Sequence, residues 1–216
     1  MDRHVVLSSK IFPMPRAYRM RARAESAAET RRRVIEAARA AIVDGPTPSL
    51  SMADVAARAD VARSTLYDTF GSRGGLVGAV MVDVSLRAGF ERVLELFNLA
   101  DAAEGMRQAL PAGVRMIGSD YVLFKRVGLL AQLDPEVMAA LEVSVEQRAG
   151  GMRYQAGRLA EQGRLRPGVT IDEAATLLWL LTDFGTYDGL HSALGMDSEQ
   201  IGAFVVSIGA RVLLAS

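Results

Sequence analysis

The sequence has no cysteine, one tryptophan, two histidines and two lysines, and none of its apolar runs approaches the ~18 residues needed to span a bilayer. Without cysteine there can be no disulfide, thiolate metal site or cysteine nucleophile, which fits a reducing compartment. His4 and His191 have no partner at metal-ligand spacing, so no metal or cofactor is expected. There is no P-loop, no glycine-rich dinucleotide fingerprint after a strand and no G-x-S-x-G elbow, and the carboxylates are scattered along helical segments. No catalytic residue is assigned, and an enzyme is not expected. The apolar patch Val5 to Leu7 is too short for an export signal and is followed by arginines. Together these features predict a cytoplasmic protein with no membrane segment.

What is present is apolar and helical. Half of the 216 residues are hydrophobic and 23% are charged, enough for a substantial core. The net charge is zero but unevenly spread: residues 1–73 carry 13 Lys/Arg against 8 Asp/Glu, and the remainder carries the opposite excess. A basic front on an acidic rear is expected when one end meets phosphate.

Residues 1–24 hold Arg3, Lys10, Arg16, Arg19, Arg21 and Arg23 against Asp2 alone, with Pro13 and Pro15 opposing a continuous helix. They read as a flexible basic arm that reaches phosphates or a minor groove, or as a plain tail upstream of a start at Met14 or Met20. A helix is expected from about Glu25 to Val43 and is stopped by Asp44-Gly45-Pro46. Ser51 to Asp54 opens a second helix, Asp60-Val61-Ala62 is a turn, and a third helix covers about Arg63 to Phe70. The period then predicts one long helix from Arg73 to Phe97. Further breaks are expected near 98–103, 118–119, 134–135 and 163–168, with helices over Glu173 to Leu194 and Ser198 to Leu214. The fold class is all-α, about nine helices. A helix-turn-helix domain over 25–72 precedes a larger helical domain over 73–216.

In a helix-turn-helix, the later helix lies in a DNA major groove. Arg63, Ser64, Thr65, Tyr67 and Arg73 supply the small polar groups and donors needed for phosphates and base edges; Arg63 can address a guanine and the Thr65 methyl a thymine. Leu66 and Phe70, four apart, belong to the core side. The run TLYDTF-(x)2-R-(x)2-L resembles the T-L-Y-x-H-F-x-x-K-x-x-L signature of TetR-family transcriptional regulators, over about 47 residues. The resemblance implies that Thr65 and Tyr67 contact DNA, that Arg73 contacts phosphate in place of lysine, and that Ser51 touches the backbone. Thr69 stands where histidine is common, Asp60 where glycine is usual in the turn, Ala62 where serine is usual, Gly74 in place of an acid, and Ala53 where a base-reading side chain is frequent.

The resemblance also implies a homodimer, paired through its last two long helices, and a small-molecule pocket among the rear helices. Leu177, Leu181 and Phe184 on one segment, and Phe204, Val205 and Ile208 on the next, form apolar faces suited to a dimer seam or to an internal core. Pocket candidates are Met106, Tyr121, Phe124, Met152, Trp179, Asp183 and Tyr187. Trp179, Asp183 and Tyr187 at i, i+4, i+8 form a stripe suited to a cationic ligand. The glycines Gly74, Gly75 and Gly78 are expected to let the fourth helix pivot. The resulting expectation is a homodimeric repressor that binds a palindromic double-stranded operator and is released by a small hydrophobic effector. A dimeric protein-interaction module with weak DNA contacts is the other reading.

Overall fold

The computed structural model describes residues 16–45 and 47–215. Among them are eleven α-helices and one π-helical turn, where about nine helices are expected. The first, α1, runs Arg16–Asp44, so residues 16–24 are helical where an arm is expected; residues 1–15 lie outside the described residues. No proline follows Pro15 until Pro46, and the alanine- and arginine-rich stretch between favours helix. Then come α2 (Met52–Arg58), α3 (Arg63–Phe70), α4 (Arg73–Arg87), α5 (Phe90–Phe97), α6 (Ala102–Ser119), α7 (Tyr121–Leu133) and α8 (Pro135–Glu161). The chain ends with α9 (Ile171–Leu181), α10 (Phe184–Asp188), the π turn (Gly189–Ala193) and α11 (Ser198–Leu213).

Two expected single helices are broken. The rod from Arg73 to Phe97 divides at Gly89, whose φ of +90° is left-handed and stops α4 from continuing into α5. The segment from Glu173 to Leu194 divides at Thr182. There the Thr182 hydroxyl donates back to the Leu178 carbonyl (2.8 Å), and the Asp183 carboxylate accepts the Gly185 N–H (2.7 Å), starting a new helix. Other boundaries follow side-chain chemistry. Asp134 accepts the Glu136 N–H at the start of α8, with Pro135 at the first position, and Thr170 with Glu173 and Asp197 with Gln200 form reciprocal caps on α9 and α11.

The helices bury two cores. The front core joins Val34, Ala38 and Ile42 of α1, Val55 and Leu66 of the turn motif, Leu76 and Val80 of α4, Leu123 and Val127 of α7, and Val137 of α8. The rear core joins Leu96, Met106, Leu110, Ala156, Leu159, Leu178, Ile201 and Val205. Within the rear core α6 and α11 approach closely at Gly202, where a Cβ would stand 3.1 Å from the Cβ of Pro111. Arginines tie the front helices to the later ones. Arg39 pairs with Asp120 at 2.7 Å, and Arg126 donates to the carbonyls of Ile42 and Gly45, which end α1. No described helix is long and apolar enough to cross a membrane.

Candidate functional site

The turn motif is built from its caps and its one strained residue. The Ser51 hydroxyl accepts the Asp54 N–H at 3.3 Å, and Met52, Val55, Ala56 and Ala59 are buried. Asp60 adopts φ +52°, the left-handed conformation that glycine takes at low cost and that aspartate tolerates best after it and asparagine. Ala62 gives α3 no side-chain cap. With Leu66 fully buried and Phe70 half-buried under Arg31, whose guanidinium lies 4.8 Å from the ring centre, one side of α3 is closed against α2 and α4. The other side is open: Arg63, Ser64, Tyr67 and Thr69 are exposed and Thr65 is half-buried. Tyr67 is 41% exposed. Its hydroxyl accepts from the Arg63 guanidinium at 3.2 Å, so these two candidates lie together along the helix. A cleft of about 510 Å³ separates α3 from the middle of α1, with Thr65 and Thr69 facing Thr30 and Arg31.

Arg73 does not stand free for phosphate as expected. Its guanidinium is bound to the Asp134 carboxylate at the head of α8, and its backbone N–H donates to the Glu136 carboxylate at 3.2 Å. The approach depends on Gly74, where a Cβ would overlap the Glu136 carbonyl oxygen. Burial pushes the Asp134 carboxyl up, but the Arg73 guanidinium and the Glu136 N–H outweigh it and hold it below the usual carboxylate range. Asp134 and Glu136 are thus counter-charges that the sequence reading missed. Only their cap spacing hinted at them.

In the rear half, Met106, Met152 and Tyr187 are buried in the core, while Tyr121, Phe124, Trp179 and Asp183 are half-buried. The structure gathers Tyr121 and Phe124 with Phe184. The Tyr121 and Phe184 rings are 6.0 Å apart and those of Phe124 and Phe184 are 6.1 Å apart, both stacked. Phe184, expected at the dimer seam, therefore faces these rings. Tyr187 and His191 complete the group, 5.8 and 4.7 Å from Tyr121. Beside it the Tyr121 hydroxyl donates to Asp188 and accepts from Lys125 (2.9 Å). The Tyr121 and Lys125 hydrogen bonds hold the Asp188 carboxyl below its ordinary range. Lys125, Asp188 and His191 carry no sequence signal, because Lys125 and Asp188 meet only across α7 and α10, 63 residues apart, and His191 lies in a π turn that periodicity does not register.

The expected stripe of Trp179, Asp183 and Tyr187 does not exist as one face, because the helix breaks between Trp179 and Tyr187. Tyr187 turns inward to share a hydrogen bond with Ser198 (2.8 Å). Trp179 and Asp183 remain neighbours and hold a cation already: Arg148 lies with its guanidinium carbon 4.5 Å from the Trp179 ring centre and donates to Asp183 at 2.9 Å. Burial pushes the Arg148 pKa down while Asp183 opposes it.

Of the expected dimer residues, Leu181 and Val205 are buried within the chain and are not available to a partner, since α9 and α11 turn those positions into the rear core. Leu177 and Ile208 are half-buried, while Phe204 (42%), Leu180 and Val212 are exposed. On α11, Phe204, Ile208 and Val212 repeat every four residues and form an outward stripe.

Residues 34–80 match the family model described as bacterial regulatory proteins, tetR family. No curated protein sequence matches the chain. Among solved structures, the fold is similar to NalD, the secondary repressor of the MexAB-OprM multidrug efflux pump in Pseudomonas aeruginosa, at 19% identity and TM-score 0.70, covering 88% of this chain and 98% of that one. A Saccharomonospora viridis protein in complex with choline shares it at 19% identity and TM-score 0.63, covering 88% and 100%. The ketosteroid transcriptional regulator KstR2 of Mycobacterium tuberculosis does so at 17% identity and TM-score 0.59, covering 86% and 95%. The helix-turn-helix segment of residues 34–80 is thus similar to that of the tetR-family regulators, and the chain as a whole shares the all-helical fold of these solved structures.

Proposed function

We propose that this protein is a homodimeric repressor that reads a palindromic operator with α3 and leaves it when a small, largely apolar effector occupies the rear helices. The observation that carries this reading is the two-sided chemistry of α3. One face is closed by Leu66 and Phe70, and the other offers Arg63, Ser64, Tyr67 and Thr69 to solvent on a helix short enough to enter a major groove. Thr65 and Ser51 flank that surface, and Arg73 has phosphate within reach only by giving up Asp134. Residues 25–72 are the reading head and 73–216 the sensing and pairing part. The outward stripe of Phe204, Ile208 and Val212, with Leu177 and Leu180, supports pairing of two copies. A C2 pair sets its two reading helices apart by the ~35 Å that one helical turn of DNA requires.

The repressor role of one neighbour and the choline held by another support a regulator with a small-molecule input. The rings of Tyr121, Phe124 and Phe184 and the half-buried Trp179 are the side chains assigned to that input, with Met106, Met152 and Tyr187 as the wall behind them. The bond from Arg73 to Asp134 connects the reading head to α8, so a change in α8 is felt at the start of α4. Gel shifts with the DNA upstream of the protein's own coding sequence, repeated at several salt concentrations, test the reading. A sequence-specific complex with a steep salt slope is expected. Equal affinity for random DNA overturns it in favour of a protein-interaction module.

A further inference from the structure

The middle of α8 is nearly bare. Residues 142–147 and 149–151 are all exposed, and a Cβ on Gly150 or Gly151 would meet nothing. Arg148 is the exception. Its guanidinium lies over the Trp179 ring and donates to the Trp179 carbonyl (2.9 Å), the Thr182 hydroxyl (3.1 Å) and the Asp183 carboxylate (2.9 Å). An indole face, a carboxylate, a hydroxyl and a carbonyl at the C-terminal end of α9 are four groups that all favour positive charge. The last belongs to the negative end of a helix dipole.

We propose that Trp179, Thr182 and Asp183 form a binding site for a small organic cation, a guanidinium or quaternary ammonium group, which the Arg148 side chain fills until such a ligand displaces it. The charge balance sets the selectivity. A cation entering the site replaces the charge that leaves with Arg148. A neutral or anionic ligand would strand Asp183, which is 31% exposed, without its counter-charge. Arg148 is 26% exposed and burial disfavours its charge where it lies, so hydration returns part of what it loses on leaving. Once it leaves, the exposed stretch of α8 loses its hydrogen bonds to the end of α9 and the start of α10, and the next ties are Met152 and the Arg153–Asp172 pair. The same helix begins with Asp134 and Glu136, the partners of Arg73. The effect on DNA rests on the effector reading given above; the site itself does not.

Trp179 is the only tryptophan of the chain, so emission excited at the red edge of absorption, where the five tyrosines do not absorb, reports on this site alone. The test titrates the full-length protein and its Arg148→Ala variant with ethylguanidinium, and with ethylurea as the uncharged counterpart of the same shape. Ethylguanidinium is expected to change the Trp179 emission saturably, at a concentration lower by about tenfold or more in the variant than in the wild type, with ethylurea inert. A folded variant with no saturable change, or one in which ethylurea acts equally, overturns the site. If circular dichroism shows that Arg148→Ala does not fold, Arg148→Lys keeps the charge without the planar fork. Ethylguanidinium should then act at a lower concentration than in the wild type, and equal midpoints overturn the site. Gel shifts under the same conditions separate the two readings: saturation of Trp179 with operator affinity unchanged leaves the site standing and refutes the effector reading.

Discussion

Gly74 and Glu136, each the second residue of its helix, meet backbone to backbone: a Cβ on Gly74 would overlap the Glu136 carbonyl oxygen. Two helix N-termini are thereby held side by side, and the Glu136 carboxylate receives the Arg73 N–H at the head of α4.

Gly74→Ala should therefore destabilise the protein despite the better helix propensity of alanine. The overlap is with backbone, which cannot rotate away, and a loss of about 1–3 kcal/mol is expected. Gly78→Ala, four residues on, is the control: nothing lies within 4 Å of its Cβ, and a gain of about 0.5–1 kcal/mol is expected. Urea denaturation of both variants checks the pair, and equal shifts of the same sign would contradict the close approach.

Asp134→Asn keeps the helix cap but removes the charge that binds Arg73. The Asp134 carboxyl titrates below its ordinary value in the folded protein, so its contribution is fully present above ~4, the unfolded value, and is lost as pH falls through the folded one. Wild type should exceed the variant by about 1 kcal/mol at pH 7, a small figure because Arg73 is 41% exposed. The difference should close in acid. A gap that stays constant from pH 7 down to pH 3 would rule out the ion pair as its source.

On the reading helix, Arg63→Ala and Tyr67→Phe should behave differently. Arg63→Ala is expected to cost about 1–3 kcal/mol of operator affinity and to relax the preference at one base pair. Tyr67→Phe removes a single hydroxyl and should weaken all sequences alike by about 1 kcal/mol. Binding-site selection followed by gel shifts distinguishes them.

Phe204→Glu and Val205→Ala, neighbours on α11, point opposite ways. Phe204 is exposed, so its substitution should leave the fold intact and shift sedimentation from dimer to monomer. Val205 is fully buried, and its truncation should cost about 1–3 kcal/mol without changing the oligomeric state. A monomeric wild type, or a dimer indifferent to Phe204→Glu, would remove the seam from this face.

The turn also leaves room for stabilisation. Asp60→Gly relieves a φ of +52° and should add about 0.5–1 kcal/mol, and Ala62→Ser supplies the missing cap of α3, worth about 1 kcal/mol. Thermal melts of the single and double variants check both values and their additivity.

The sequence was most legible where local chemistry decides the outcome. Ser51, Asp134 with Pro135, and Thr170 announce their helices by short-range hydrogen bonds, and the 3.6 period places Leu66 inward and Tyr67 outward. It failed where a tertiary partner or a single backbone conformation intervenes. Arg73 carries the residue type of a phosphate contact, but 61 residues separate it from the aspartate it binds. Gly89 interrupts a continuous period with one left-handed φ, and the π turn rotates the face of the last segment. Arg148 was overlooked for a similar reason: its meaning depends on Trp179 and Asp183, which sit on either side of a helix break that periodicity does not register.

Gly89 has a wider consequence. The front core ends on Val84 before it and resumes at Leu123, and the rear core begins at Val93 and resumes at Met152. The chain therefore passes between the two bodies three times: at Gly89, at Asp120 between α6 and α7, and along the bare stretch of α8 from residue 142 to 151. Two of these crossings are joints, and the third is a strut about 15 Å long by helical rise. The two bodies also touch where Phe124 stacks on Phe184 and Lys125 pairs with Asp188. Along the strut itself, however, Arg148 is the one side chain not exposed, so releasing it frees the longest crossing of the three.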